Sequence, residues 1–283
     1  MNRERLLLVD GMNLLFQMFF GMPARIVNSQ GRAVQGILGF TGALKKTIAM
    51  VRPMRILAVF DGEHGNPRTS ISADYKANRP DLSDVPDDEN PFSQIDDIYR
   101  VLSFMKIPCY ETRVYEADDV IASYADALRA GMDIVICSHD SDFFQLIGPG
   151  VSVLRYRGEK SVLCDEAWLM DKYGITGSMY ADFKCLTGDS ADNIRGLDGV
   201  GPKTASVLIN RFGSLDGLVS GYASIERERL RGIVASGLET LALNRSLIYM
   251  KRDIELPVAA QELGFEDNGM GTMDILRALE ILP

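Results

Sequence analysis

Three short apolar runs in this chain each end in, or lead straight into, an aspartate. They are Arg5-Leu-Leu-Leu-Val-Asp10, Arg55-Ile-Leu-Ala-Val-Phe-Asp61 and Asp133-Ile-Val-Ile-Cys-Ser138, the last continuing into His139-Asp140. None alternates polar with apolar residues, so each predicts a strand covered on both faces, as in a parallel sheet. Helix-like stretches over Gln35 to Val51, Ser93 to Met105 and Ala117 to Ala130 fill the intervals. Strand and helix in alternation predict an α/β fold with right-handed crossovers. Ligands of such folds sit at the carboxyl ends of the strands, so the closing aspartates should converge on one sheet edge.

Two stretches break this pattern. His64 to Phe92 is rich in Pro, Asp, Asn and Ser and reads as a long excursion, helical near Asp74 to Arg79. An excursion of that length in a compact domain is usually functional or unstructured. Beyond Trp168 the pattern is helical throughout. The chain is therefore expected to divide into an α/β core over 1–165, including the excursion at about 64–92, and a helical lobe over 166–283. At 283 residues it is long enough for one sizeable core with a smaller lobe attached.

Nine carboxylates occupy the junctions and two further motifs: Asp10, Asp61, Glu116-Ala-Asp118-Asp119, Asp140-Ser-Asp142 and Asp189-Ser-Ala-Asp192. Like charges repel and desolvation raises their pKa, so a cluster of this size calls for cations. With no His or Cys converging on it, oxygen-only ligation favours Mg²⁺ or Mn²⁺ over Zn²⁺. Two such ions side by side suit phosphodiester hydrolysis. The net charge of −9 matches this set of carboxylates, so bound ions would bring the chain near neutrality. Its sign therefore does not exclude a nucleic-acid partner.

Cys109, Cys137, Cys164 and Cys185 are scattered and form no CxxC, which fits a reducing cytosol. Cys137, inside an apolar run, reads as a buried structural thiol. Only Leu6 to Val9 separate the charged Arg3-Glu4-Arg5 from Asp10, too short for a secretory segment, and no later run reaches transmembrane length. A cytoplasmic protein is expected.

Each motif has a plainer reading. Asp10-Gly and Asp61-Gly are good turns in isolation. Glu116-Ala-Asp-Asp119 can cap a helix, although three carboxylates exceed what capping needs. Asp140 and Asp142, one residue apart at a strand end, form a pincer; Asp189 and Asp192 lie three apart, on one face of a helical turn. Lys76 and Arg79 put two cations on one helical face, a solvated surface elsewhere but a phosphate clamp beside a metal cluster. Gly199-Val-Gly201-Pro-Lys203 lacks a Walker pattern and predicts a tight hairpin between helices, whose N–H groups can grip a phosphate.

In this order the motifs resemble the 5′ nuclease (flap endonuclease) family, which includes the 5′→3′ exonuclease domain of bacterial DNA polymerase I. The likeness runs from Leu-Val-Asp-Gly through Asp-Tyr-Lys-Ala-Asn-Arg-Pro and Tyr-Glu-Ala-Asp-Asp-Val to Leu-Thr-Gly-Asp-Ser-Ala-Asp-Asn and Gly-Val-Gly-Pro-Lys-Thr-Ala. It implies a standalone, monomeric 5′→3′ exonuclease or flap endonuclease, with a helical arch over the excursion and a helix-hairpin-helix element at about 190–212. It implies Asp10, Asp61, Glu116, Asp118 and Asp119 at a first metal, with Asp140, Asp142, Asp189 and Asp192 completing a second. Lys76 and Arg79 would approach the scissile phosphate and Tyr75 would stack on a nucleotide. Gly199, Gly201, Lys203 and Thr204 would bind duplex backbone, in relatives with a K⁺ ion. The substrate would be DNA with a free 5′ end.

Three departures each remove positive charge. Phe16-Gln17 stands where relatives commonly carry Tyr-Arg, and Ser141 where many have Lys. The excursion carries Asp81, Asp84, Asp87, Asp88 and Glu89, expected near the path of a 5′ strand. Alternatives are an RNA-cleaving nuclease of the related PIN-like fold, or a DNA-structure binder without turnover.

Overall fold

The computed structural model describes residues 3–22, 24–63 and 66–283. Six strands, β1 (Glu4–Asp10), β2 (Arg55–Phe60), β3 (Cys109–Glu111), β4 (Met132–Cys137), β5 (Val151–Arg155) and β6 (Val162–Cys164), form one sheet. Their order is β3-β2-β1-β4-β5-β6, all parallel except β6, which pairs antiparallel on the β5 edge. Four helices belong to the α/β part: α1 (Gly11–Gly21), α2 (Gln35–Val51), α3 (Ile95–Phe104) and α4 (Ala117–Leu128). The second half adds α5 (Glu166–Tyr173), α6 (Tyr180–Thr187), α7 (Pro202–Phe212), α8 (Leu215–Gly221), α9 (Glu228–Ser236), α10 (Leu238–Ile248) and α11 (Thr272–Ala278). No helix among the described residues is long and apolar enough to cross a membrane.

The pleat explains the unbroken apolar runs. Within β1, Leu6 and Leu8 enter one core while Leu7 and Val9 enter another on the opposite face, and all four are fully buried. The first core continues through Val120 and Ile121 of α4 into the helical lobe. The second joins Leu14 of α1, Phe40 and Leu44 of α2, Ile98 of α3 and Leu276 of α11. Register then sets the site: Asp10 pairs with Val59 and Val9 with Cys137, so the carboxyl ends of β1, β2 and β4 lie level.

The Asp10-Gly11 step is not a turn. Asp10 accepts the Asn13 N–H at 3.1 Å as the cap of α1, which starts with no intervening loop. Gly11 is required there by close approach, since an added Cβ would lie 2.3 Å from the Phe60 ring.

The excursion differs from the expected helical arch. Among the described residues it consists of 3₁₀ turns at Pro67–Ser70 and Pro91–Gln94 with successive turns between; His64 and Gly65 lie outside them. Pro80, Pro86 and Pro91 interrupt any helix. Asp81 and Asn90 accept the N–H groups of Ser83 and Phe92 at 2.9 and 3.0 Å, local bonds that compete with helix formation. Lys76 sits at φ 57°, so Lys76 and Arg79 do not share a helical face.

The Asp189 motif is likewise a turn and not helical. It joins β7 (Gly188–Asp189) to β8 (Ile194–Arg195), an antiparallel ribbon that breaks the helical run of the lobe. Gly188 and Asn193 at φ 75° and 58° shape it, and Asp189 accepts the Ala191 N–H at 2.9 Å. The predicted hairpin at Gly199 therefore follows a strand and precedes a helix.

Candidate metal centre

Asp10 closes β1, Asp61 follows β2, Asp118 lies in the first turn of α4 and Asp140 follows β4. All four line one cavity of about 1250 Å³, together with Lys76 and Arg79. Neutral donors hold three of them. Asp10 takes Ser138 Oγ–H at 2.8 Å besides Asn13; Asp61 takes the Ala117 N–H at 2.8 Å, capping α4; Asp140 takes the Asp142 N–H at 2.9 Å. Among the described residues none of the four has an ion-pair partner. Burial pushes the Asp10 carboxyl up to about 7, with Asp61 and Asp140 adding to the rise. Burial, then Asp140 and Asp10, lifts Asp118 well above the carboxylate range, and burial also raises Asp61 and Asp140.

The remaining carboxylates have cationic partners. Lys184 of α6 reaches Asp189 Oδ2 at 2.5 Å and Asp142 Oδ1 at 3.2 Å. Burial pushes Asp189 up, but Lys184 outweighs it and holds the group below its ordinary value. Asp142 stays well above its ordinary value, because burial and then Asp140 outweigh the same ammonium. Asp192 Oδ1 meets Arg79 at 3.0 Å, and Lys76 is 3.9 Å from its other oxygen. Glu116 pairs with both Lys76 and Arg68; these outweigh the upward push of burial and hold it low.

Asp142, Asp189 and Asp192 fit a hard divalent ion. Each is buried and offers an oxygen, and the three oxygens lie within 4.8 Å of one another. Asp142 Oδ1 is shut from solvent without a hydrogen bond, 3.2 Å from the Lys184 ammonium. Oxygen-only donors of this kind are Mg²⁺-type ligands.

Two expected roles do not match the geometry. Asp119 does not line the cleft: its oxygens take Arg68 at 2.7 and 2.8 Å and the Lys251 N–H at 2.9 Å, so most of its acceptor capacity is used by protein donors. Tyr75 is 5% exposed, with its hydroxyl on Glu116 at 3.1 Å and 3.3 Å from Asp192, so its ring has no open face for a nucleotide. Arg68 and Lys184, the two buried counter-charges, escaped the sequence reading. Arg68 lies in the Pro-rich excursion, where nothing marks it; Lys184 is legible only as a lone cation within the apolar Tyr180–Thr187 run.

The Gly199 hairpin lies apart from the cluster. Gly199 adopts φ 82°, and Gly201, Pro202 and Lys203 are exposed where α7 begins without a side-chain cap. Thr204 is half-buried in the same turn. N–H groups at such a helix start are free for an anion. Of the acidic residues in the excursion, only Asp81 lines the large cavity. Asp87 and Asp88 line a separate recess beside Arg32, and Asp88 is paired with Arg25.

Comparison with known proteins gives a consistent picture. Residues 5–174 match the model of the 5′-3′ exonuclease N-terminal, resolvase-like domain, and 175–270 that of the 5′-3′ exonuclease C-terminal SAM fold. The chain is 30% identical over 287 residues to DNA polymerase I of Rhizobium leguminosarum, covering 98% of this chain and 28% of that protein. The DNA polymerase I relatives it matches are thus about three times longer. A 5′-3′ exonuclease of Aquifex aeolicus (strain VF5) is 32% identical over 262 residues, covering 92% of this chain and 86% of the relative. A solved structure of T5 5′-exonuclease with bound divalent zinc superposes with a TM-score of 0.71 at 19% identity, over 87% of this chain and 89% of that one.

Proposed function

We propose, because this chain belongs to the 5′-3′ exonuclease family, that it is a cytoplasmic, Mg²⁺-dependent 5′ nuclease cutting DNA at a free 5′ end. The observation that carries this reading is a pair of neighbouring carboxylate sets. Asp10, Asp61, Asp118 and Asp140 line one cleft without an ion-pair partner among the described residues, while Asp142, Asp189 and Asp192 are buried beside Asp140 with oxygens within 4.8 Å of one another. Asp10, Asp61, Asp118 and Asp140 would hold one ion, and Asp142, Asp189 and Asp192 a second, with Mn²⁺ able to substitute.

Divalent ions, when bound, supply water activation and neutralise the leaving oxygen of a phosphodiester. The protein supplies the rest. Lys76 and Arg79, tethered to Glu116 and Asp192, are placed to turn toward the phosphoryl oxygens, where negative charge grows in the transition state. Arg68 fixes Glu116, and Glu116 in turn fixes Lys76. Gly199, Gly201, Lys203 and Thr204 would hold duplex backbone, with K⁺ as a further ligand of that turn. Contacts to backbone select shape over base sequence.

The test is hydrolysis of nicked and 5′-flap duplexes with Mg²⁺ and with EDTA, beside matched single-stranded RNA. Metal-dependent release of 5′-phosphorylated DNA products is expected. Preferred cleavage of the RNA would favour a PIN-like ribonuclease, and binding without turnover would favour a structure-binding role.

A further inference from the structure

The cleft does not end at the carboxylates. Along α1, Met12, Phe16 and Phe20 follow one another at four-residue intervals and line the same cavity as Asp10. At 1.5 Å per residue, this wall runs roughly 15 Å from Asp10. Phe92 faces it from the end of the excursion. Phe16 braces both rings, edge-on to Phe20 at 6.0 Å and to Phe92 at 5.4 Å. Phe20 and Phe92 are nevertheless 61% and 43% exposed. Two large rings left in water at the mouth of an acidic cleft call for an occupant.

That occupant is poorly suited to be a phosphate. Gln17, on the same helix, spends its amide on the Tyr156 carbonyl at 2.6 Å. Asp81, on the opposite wall, adds negative charge. Aromatic faces take nucleobases irrespective of sequence, because every base has a π-face. We propose that Phe20 and Phe92 form a stacking clamp for unpaired bases of the DNA strand whose end lies at the carboxylate cluster. The clamp rests on the 5′ nuclease reading and supplies strand affinity through bases, in a cleft where carboxylates outnumber the cations Lys76, Arg79 and Arg113.

The test measures binding of the whole protein in Ca²⁺ to three fluorescent DNAs: a duplex with a six-base 5′ flap, the same duplex with an abasic flap, and a nicked duplex without a flap. Stacking should favour the base-bearing flap over the abasic one by roughly tenfold or more. Phe20→Leu with Phe92→Leu should bring that ratio near one, and Phe20→Tyr with Phe92→Tyr should retain it. An unchanged ratio in the double leucine variant overturns the clamp. Wild type that binds the nicked duplex without distinguishing base-bearing from abasic flaps overturns the clamp alone. Wild type that binds none of the three overturns the 5′ nuclease reading with it.

Discussion

The carboxylates at the ends of β1, β2 and β4 face the same repulsion as those around the β7–β8 turn, and the two groups meet it differently. Asp10, Asp61 and Asp140 have N–H and hydroxyl donors but no ion pair among the described residues, and burial raises their affinity for protons. Asp189, Asp192 and Glu116 are instead clasped by Lys184, Arg79, Lys76 and Arg68. The first group meets its repulsion by binding protons; the second meets it with ammonium and guanidinium groups. Metal loading should therefore be felt mainly as deprotonation on one side and as displacement of ammonium and guanidinium groups on the other.

The largest expected effect is on cleavage. Asp118→Asn and Asp142→Asn should each lower the rate by about 10³-fold, the scale of losing a main electrostatic stabiliser. Near wild-type turnover of both in saturating Mg²⁺ would sink the assignment. Their fold effects sharpen the contrast. Metal-free Asp118→Asn should melt later, because it relieves burial and repulsion from Asp140 and Asp10, which outweigh the pull of Lys76. Asp189→Asn should melt earlier, toward the low end of the roughly 3–5 kcal/mol seen when a buried pair loses one partner, since Lys184 keeps Asp142.

Arg68→Met should come next. It leaves Glu116 and Asp119 buried without their guanidinium, a loss of roughly 3–5 kcal/mol in urea unfolding. If Asp119 has no metal-binding role, saturating Mg²⁺ will restore little of it. Full rescue by Mg²⁺ would return Asp119 to the ligand set.

What the sequence showed, and what it concealed, follows the same division. The helix over Gln35–Val51 and the three buried strands were legible because burial on both faces imposes a continuous apolar run that no distant residue alters. Convergence of the strand-end aspartates followed from parallel register. The partners of Asp119 and Tyr75 were not legible, since both depend on Arg68 and Glu116 meeting across 48 positions of chain. Asp74 to Arg79 within the excursion and the Asp189 turn were read as helical from spacing. Asx bonds and left-handed residues decided them instead, and these leave no period in the sequence.

Acidity tests the uncompensated group directly. In the unfolded chain Asp10 titrates near the ordinary aspartate value of 3.8, whereas in the native protein it is raised to about 7. The native state thus binds the extra proton between these limits, and the stability this gives is lost as pH rises through 7. The lowered Glu116 and Asp189 lose their contribution only as pH falls below about 4, outside that window. EDTA-treated protein should therefore melt higher at pH 5 than at pH 8, and Mg²⁺ should stabilise it more at pH 8. A melting temperature that climbs from pH 5 to 8 without metal contradicts this account.

Lys76→Ala asks whether a cation of the compensated group also serves the chemistry. Burial lowers the Lys76 pKa, but Glu116 and Asp118 outweigh it and keep the ammonium charged. If it acts on charge that grows in the transition state, single-turnover cleavage of bound DNA falls about 10²-fold while the Kd barely moves. A raised Kd with unchanged single-turnover rate makes it a ground-state contact.

The smallest effect should come from the acidic excursion, where the structure separates residues that composition grouped together. Asp81 lines the cleft and is exposed, with the Ser83 N–H holding its carboxyl below the usual value, so it is ionised at neutral pH. Asp87 and Asp88 face the other recess, and Arg25 already offsets Asp88. On the proposed reading, a long 5′ strand leaving the cleft would pass Asp81 and not the other two. Asp81→Asn should improve long-flap over nicked-duplex cleavage by roughly twofold at low salt, and the gain should fade in 0.5 M salt as screening shortens the reach of one charge. Asp87→Asn with Asp88→Asn should leave the same ratio unchanged. If the double variant shifts it as much as Asp81→Asn does, the strand runs along the outer face of the excursion and the cleft is not its path.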